Sequence, residues 1–216
     1  MKQLVIFDLD GTLLDTIADL GASCNAVLEK NELPTYEMEE YKSFVGSGMM
    51  RLVERAIPEQ RRTDAFISKI RTEFVEHYFN NIADHTTIYP EIEKLLAALK
   101  KRGVNLAVAS NKFQDGTRKL VTHFFPTIKF EAVLGQRPNV PLKPNPQIVR
   151  DILSISTYAA DKTLYVGDSG IDIETAKAAG VESVGVTWGF RSREELEAAG
   201  ADHIVDGAMD ILKFIE

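Results

Sequence analysis

The chain has 216 residues, enough for one large core or for a core domain with a small accessory one. Its net charge of −7 and pI near 5.2 argue against a basic surface, so we expect no nucleic-acid partner. The single cysteine, Cys24, excludes an internal disulfide and a cysteine-based zinc site. Nothing approaches about 18 continuous apolar residues, and the N-terminal apolar run soon meets two aspartates. We therefore expect no membrane segment or signal peptide, and a cytoplasmic location.

Short apolar runs recur along the chain and predict strands that are buried on both faces. These runs lie at residues 3–7, 104–109, 163–166 and 181–186, with a weaker one at 131–134. Amphipathic segments between them predict helices at 91–101, 172–179 and 193–199, each followed by a glycine suited to a helix C-terminus. This alternation predicts an α/β fold with a doubly wound parallel sheet.

One long stretch interrupts the alternation, because it contains helical patterns and no convincing strand. The predicted helices in it lie at residues 16–30, 37–44, 48–57 and 62–81. An insertion of this length is too long for a connection between two strands of one sheet. We therefore predict two domains, an α/β core domain of residues 1–15 and 83–216 and an inserted helical domain of residues 16–82.

Polar residues follow several of the predicted strands, at the edge where parallel sheets bind ligands. They are Asp8, Asp10, Ser110, Asn111 and Asp168, with Asp172 four residues further along and Lys143 in a proline-rich loop. Two carboxylates about 4 Å apart repel each other by about 4 kcal/mol at an effective dielectric of about 20. Such a cluster takes up protons or holds a cation. Because the candidate ligands are all oxygens, we predict Mg²⁺.

The same residues suit phosphoryl transfer. Lys143, Ser110 and nearby main-chain amides can supply donors to a phosphate. A carboxylate that attacks phosphorus splits one slow reaction into two steps through an aspartyl phosphate. A second acid must then protonate the leaving oxygen and later deprotonate water, and Asp10 lies two residues from Asp8.

Four segments, in this order, resemble the haloacid dehalogenase superfamily. They are FDLDGTLLDT (7–16), Ser110-Asn111, Lys143-Pro144 and VGDSGIDIETAKAAG (166–180). The helical domain resembles the cap that this superfamily inserts after the first motif. Segments 45–57 and 185–205, together with Ser110-Asn111-Lys112, resemble phosphoglycolate phosphatases and their pyrophosphatase relatives. At residue 91 the chain has Glu, where many of these relatives have Gly.

The resemblance implies a role for each matching residue of the core domain. Asp8 would be the nucleophile and a metal ligand, and Asp10 would be the general acid/base that also binds the metal through its carbonyl oxygen. Asp168 would bind Mg²⁺, and Asp172 would orient metal-bound water or Lys143, which offsets the charge of the phosphate. An aspartate at position 10 favours phosphatase chemistry over dehalogenase chemistry.

The resemblance also implies a set of residues that bind the phosphate or the rest of the substrate. Ser110 and Asn111 would bind the phosphate, with Thr12 and Lys112 as further candidates. In the helical domain, Gly48 and Arg51 are candidates for substrate specificity. Two plainer interpretations stay open, in which Gly48 separates two helices and Arg51 lies on the surface.

The predicted activity is Mg²⁺-dependent hydrolysis of a small phosphate monoester, most similar to that of phosphoglycolate phosphatases. The partner would be a small phosphorylated metabolite, and the protein a monomer or homodimer. A pyrophosphatase or nucleotidase and a β-phosphoglucomutase-like phosphosugar mutase remain alternatives. A catalytically silent receiver domain is disfavoured, because receivers lack a long helical insertion and because Asp10 is present.

Overall fold

The computed structural model describes all 216 residues. The chain forms two compact units, the first of Met1–Asp15 and Ile88–Glu216 and the second of Thr16–Thr87. The chain therefore returns to the first unit at Ile88, slightly later than the predicted residue 83.

The first unit is built on a six-stranded sheet with the strand order β5-β4-β1-β6-β7-β8. All of its neighbouring strands pair in parallel, so the predicted α/β class with a parallel sheet is confirmed. The strands are β1 (Leu4–Phe7), β4 (Asn105–Phe113), β5 (Ala132–Gln136), β6 (Thr163–Gly167), β7 (Glu182–Val186) and β8 (His203–Val205). Two short strands, β2 (Leu14–Asp15) and β3 (Thr87–Ile88), pair with each other separately.

Five helices of the first unit pack against this sheet or against one another. They are α5 (Ile92–Lys101), α6 (Gln114–Phe124), α7 (Gln147–Ser156), α8 (Gly170–Ala179) and α9 (Arg193–Ala199). Three 3₁₀ segments complete the chain, at Glu59–Arg61, Ala160–Lys162 and Ala208–Phe214. The helices predicted at 91–101, 172–179 and 193–199 are present, whereas the sequence pattern does not predict α6 or α7.

The central strand determines which residues meet at the sheet edge. All four residues of β1 are fully buried, as expected for a strand with neighbours on both sides. Phe7, the last residue of β1, lies level with Val108 in β4 and Val166 in β6. The polar residues that come after Phe7, Val108 and Val166 therefore emerge at one edge of the sheet.

The second unit is helical and contains α1 (Ile17–Lys30), α2 (Met38–Phe44), α3 (Met49–Ala56) and α4 (Asp64–Asn80). Its helices match the four predicted segments within a few residues. The buried Asp19 carboxylate links α1 to the end of this unit, because it accepts hydrogen bonds from the amides of His85 and Thr86 and from the Thr86 hydroxyl. No helix of either unit has the length and apolar character needed to cross a bilayer.

Candidate active site

The turn after β1 places the first group of candidate residues. The amide of Asp8 donates to Val166 O at 2.9 Å, which continues the sheet ladder by one residue. Gly11 has a φ of +86°, and a Cβ atom at this position would overlap with the carboxylate of Asp168. Glycine is therefore required here both for the turn and for the close approach of Asp168.

The Lys143 ammonium lies at the centre of the site and is almost fully buried. Its Nζ is 2.9 Å from Asp8 Oδ1 and 2.7 Å from Asp172 Oδ1. It also donates to Ala109 O at 3.0 Å and to the Tyr165 hydroxyl at 3.2 Å. Burial alone would lower the pKa of Lys143, but the charges of Asp172 and Asp8 raise this pKa well above its ordinary value. The lysine is therefore held as a fixed cation.

The carboxylate of Asp172 is committed to neighbouring side chains. Its Oδ2 accepts from the Ser169 hydroxyl at 2.6 Å and from the Ser169 amide at 3.2 Å, in a capping box at the start of α8. Its Oδ1 accepts from the Tyr165 hydroxyl at 3.1 Å in addition to Lys143. Both oxygens are thus used to orient protein groups, and Lys143 is one of them.

The Asp168 side chain is fixed by the first motif and by the loop after β7. Its Oδ1 accepts from the Thr12 hydroxyl at 3.4 Å, and its Oδ2 accepts from the Phe190 amide at 2.7 Å. A Cβ atom at Gly189 would overlap with the Asp168 side chain, so this loop passes directly against the carboxylate. The Trp188 indole donates to Thr12 O at 3.0 Å and joins the two segments.

The site holds an excess of buried negative charge. Carboxylate oxygens of Asp8, Asp168 and Asp172 lie within 4.8 Å of one another. Burial raises the pKa of Asp8 from 3.8 to about 7, and the charge of Asp172 adds to this rise although Lys143 opposes it. Burial and the same neighbouring carboxylates also raise the pKa of Asp168 well above its ordinary value. The single positive charge of Lys143 therefore does not neutralise the three carboxylates of this cluster.

A divalent cation fits this cluster. The donors are all carboxylate oxygens, which suit a hard cation. Asp8 Oδ1 is buried without a regular hydrogen bond, although Lys143 Nζ lies 2.9 Å away. Because Asp172 is already committed to protein donors, Asp8 and Asp168 are the carboxylates suited to hold the ion.

A β-bulge shapes the second motif. The register of β4 against β5 shifts between Ala109 and Phe113, so the residues between them leave the regular ladder. Asn111 Nδ2 donates to Lys143 O at 3.1 Å, and Asn111 Oδ1 accepts from the Lys143 amide at 2.9 Å. The Asn111 side chain thus ties the lysine loop to β4, a role that the motif alone does not indicate. Ser110 is buried beside it.

Lys112 and Asp10 form a further ion pair in the site. The Lys112 side chain is 1% exposed, and its Nζ lies 2.9 Å from Asp10 Oδ1. The sequence places Lys112 among the phosphate-binding candidates. Its buried ammonium instead contacts the predicted general acid/base.

The first unit brings together all nine of its predicted site residues: Asp8, Asp10, Thr12, Ser110, Asn111, Lys112, Lys143, Asp168 and Asp172. Gly48 and Arg51 belong to the second unit. Gly48 has a φ of +83° and immediately precedes α3, which supports the plainer interpretation of this residue. Arg51 is exposed and pairs with Glu54 at 2.7 Å.

Three contributors to the site are not predicted from the sequence. Tyr165 resembles one more apolar residue of β6, although its buried hydroxyl needs a partner and finds Lys143. The Phe190 amide carries no side-chain signature at all. Trp188 has the sequence character of a packing residue, and only the fold reveals its hydrogen bond to the first motif.

Comparison with known proteins extends these observations. Residues 5–186 match the family model described as haloacid dehalogenase-like hydrolase. A phosphoglycolate phosphatase of Mesorhizobium japonicum is 34% identical over 198 residues, which cover 91% of this chain and 87% of the relative. A phosphoglycolate phosphatase of Aquifex aeolicus is 30% identical over 218 residues, which cover 99% of this chain and 97% of the relative. A crystal structure of a Lactobacillus delbrueckii protein aligns with a TM-score of 0.93 and 33% identity, covering 100% of this chain and 99% of the other.

Proposed function

The chain belongs to the haloacid dehalogenase-like hydrolases and is a phosphatase, and from this premise we propose that it hydrolyses a small phosphate monoester with Asp8 as the nucleophile and Mg²⁺ as the cofactor. The observation that carries the proposal is the position of Lys143, whose buried ammonium contacts both Asp8 and Asp172. This contact fixes a cation beside the carboxylate of the proposed nucleophile.

Asp8 and Asp168 would hold the ion, together with the main-chain carbonyl of Asp10. A bound Mg²⁺ would offset negative charge on the carboxylates and on the phosphate. The raised pKa values of Asp8 and Asp168 support this assignment, because they report carboxylates that lack sufficient positive charge. Mg²⁺ is favoured among divalent ions because the ligands are oxygens and few of them come from the protein.

In the first half-reaction, an Asp8 carboxylate oxygen attacks phosphorus and the bond to the leaving oxygen breaks. Asp10 donates a proton to that oxygen. Lys143 and the Ser110 hydroxyl stabilise the negative charge of the transferring group. Asn111 contributes by holding the main chain of Lys143, so its effect on the phosphate is in part indirect.

In the second half-reaction, water attacks phosphorus while Asp10 takes a proton from it. The bond between phosphorus and Asp8 breaks, which releases inorganic phosphate and restores the Asp8 carboxylate. Two easier steps thereby replace one slow displacement.

Phosphoglycolate is the proposed substrate, because two phosphoglycolate phosphatases match the chain over 91% and 99% of its length, which includes both units. Arg51 is the proposed specificity residue, and it would bind the carboxylate of that substrate. Its present partner is Glu54, and an exposed ion pair of this kind contributes only about 0–1 kcal/mol. The guanidinium can therefore exchange partners at little cost.

The experiment is a phosphate-release assay on a panel of small phosphorylated compounds, with Mg²⁺ and with EDTA. We expect phosphoglycolate to give the highest kcat/KM, and EDTA to abolish the activity. Pyrophosphate, nucleoside monophosphates and hexose phosphates in the same panel test the alternative substrates. A different best substrate would refute the substrate assignment, and full activity in EDTA would refute the metal assignment.

Three further proposals concern the location of the enzyme, the kind of molecule that it acts on and its oligomeric state. We propose that it acts in the cytoplasm, on a freely diffusing metabolite, as a monomer or homodimer. The single buried cysteine, which does not require an oxidising compartment, supports the location.

A further inference from the structure

The ion pair between Lys112 and Asp10 is built into the fold. The Asp10 side chain is 13% exposed and that of Lys112 is 1% exposed, with 2.9 Å between Oδ1 and Nζ. Lysine is almost never fully buried unless it is paired. The buried Lys112 side chain, unlike a flexible lysine on the surface, is therefore fixed in its contact with Asp10.

The main chain on both sides of Lys112 is fixed by hydroxyl groups. The Lys112 amide donates to Ser110 Oγ at 3.2 Å, and the Lys112 carbonyl accepts from Thr117 Oγ1 at 3.2 Å. A Cβ atom at Gly135 of the neighbouring strand would overlap with the Lys112 carbonyl, so the two strands pass very close here. The β4 bulge therefore holds the start of this side chain in a single place.

We propose that Lys112 is a positioning residue that acts through Asp10 in the hydrolysis of the aspartyl phosphate, and that it is not a ligand of the substrate phosphate. The inference rests on the proposed function, in which Asp10 serves both half-reactions. The Lys112 ammonium lies 2.9 Å from Asp10 Oδ1 and so fixes the Asp10 carboxylate. In the second half-reaction, Asp10 is the residue to which the attacking water delivers its proton.

The step that Lys112 supports is balanced in atoms and charge. The oxygen of water forms a bond to phosphorus, the bond between phosphorus and the Asp8 oxygen breaks, and the bonding electrons leave with Asp8. The proton of water passes to Asp10, where it remains for the leaving group of the next substrate. Lys112 holds the Asp10 carboxylate in the orientation that this proton transfer requires.

The test compares the two half-reactions in Lys112→Met, with 4-nitrophenyl phosphate and Mg²⁺ in a stopped-flow instrument. The value of kcat/KM reports the steps up to the formation of the aspartyl phosphate, whereas kcat also includes its hydrolysis. We expect kcat to fall by at least about tenfold and kcat/KM to change by less than about threefold. The burst of 4-nitrophenolate should rise towards one per active site.

Lys2→Met is the matched control. Lys2 is also a largely buried lysine with an ion pair, to Glu182 at 2.7 Å, but it lies at the opposite end of the central strand. We expect this variant to retain the kcat, the kcat/KM and the burst of the wild type. If Lys112→Met does not fold, Lys112→Gln keeps a hydrogen-bond donor without the charge and should show the same pattern to a smaller extent.

Equal losses of kcat and kcat/KM with no larger burst would overturn the assignment and indicate a phosphate ligand or a structural residue. This outcome differs from a failure of the proposed function itself. In that case the wild type would form no phosphorylated intermediate. If the wild type forms the intermediate and Lys112→Met hydrolyses it at the normal rate, only the inference about Lys112 is wrong.

Discussion

Replacement of Asp8 by asparagine should remove activity and at the same time stabilise the metal-free protein. The buried carboxylate has its pKa raised from 3.8 to about 7, so the folded state favours its protonated form. For an acid with a raised pKa, the ionised form costs stability. This cost appears as the pH rises above 3.8 and is complete above about 7.

The size of the effect follows from the same values. Each pH unit between 3.8 and about 7 corresponds to about 1.4 kcal/mol, which gives a full cost of about 4 kcal/mol at pH 8. At pH 5 the cost is only about 2 kcal/mol. Asparagine resembles the protonated acid and does not incur the cost, and Lys143 keeps Asp172 as its partner in the variant.

Urea unfolding in EDTA at pH 5 and pH 8 measures this difference. We expect the gain in free energy of unfolding for Asp8→Asn to be about 2–3 kcal/mol larger at pH 8 than at pH 5. Mg²⁺ should reduce the difference in free energy of unfolding between the variant and the wild type, because it binds and stabilises the wild type more. Asp161→Asn, at a site that is 72% exposed, is the control and should change stability by less than about 0.5 kcal/mol. A destabilised Asp8→Asn, or a gain that does not depend on pH, would refute the reasoning.

Four further substitutions, one of them a control, test other parts of the proposal. Lys143→Met leaves two buried carboxylates without their cation, so it should cost about 3–5 kcal/mol at pH 8 and less at pH 5, where Asp8 takes up a proton. An equal cost at both pH values in urea unfolding would contradict this. Gly189→Ala places a Cβ atom against Asp168. It should therefore raise the Mg²⁺ concentration for half-maximal activity at least about tenfold. An unchanged Mg²⁺ concentration for half-maximal activity would contradict this prediction. Glu91→Gly should stabilise the protein by up to about 1 kcal/mol in thermal unfolding, because Glu91 has a φ of +62°. Glu93→Gly, in the exposed first turn of α5, should instead destabilise it by about 1 kcal/mol, and the same sign for both variants would refute the argument.

Much of the fold can be predicted because its strands are short apolar runs with polar residues at their carboxyl ends. That pattern alone locates β1, β4, β6 and β7 and brings Asp8 and Asp168 to one edge of the sheet. Strand β8 has only three residues, too few for a periodic pattern. Helix α6 packs against β4 and β5 but contains few apolar residues, so its sequence gives only a weak helical pattern.

The roles of individual site residues depend on geometry that a motif does not contain. The resemblance assigns Asn111 to the phosphate and makes Lys112 a further candidate. The β4 bulge directs the Asn111 side chain to the main chain of Lys143 and the Lys112 side chain to Asp10. At Glu91 the sequence is informative, because the departure from glycine marks a residue in a left-handed conformation.

We propose that Asp8 carries the phosphoryl group during turnover. The direct measurement is acid quenching of the enzyme with a ³²P-labelled aryl phosphate and Mg²⁺, followed by identification of the labelled peptide. We predict one label on Asp8 in the segment Phe7–Thr12, and neither label nor hydrolysis in a folded Asp8→Asn variant. A label on another residue, or substantial hydrolysis by that variant, would contradict the account.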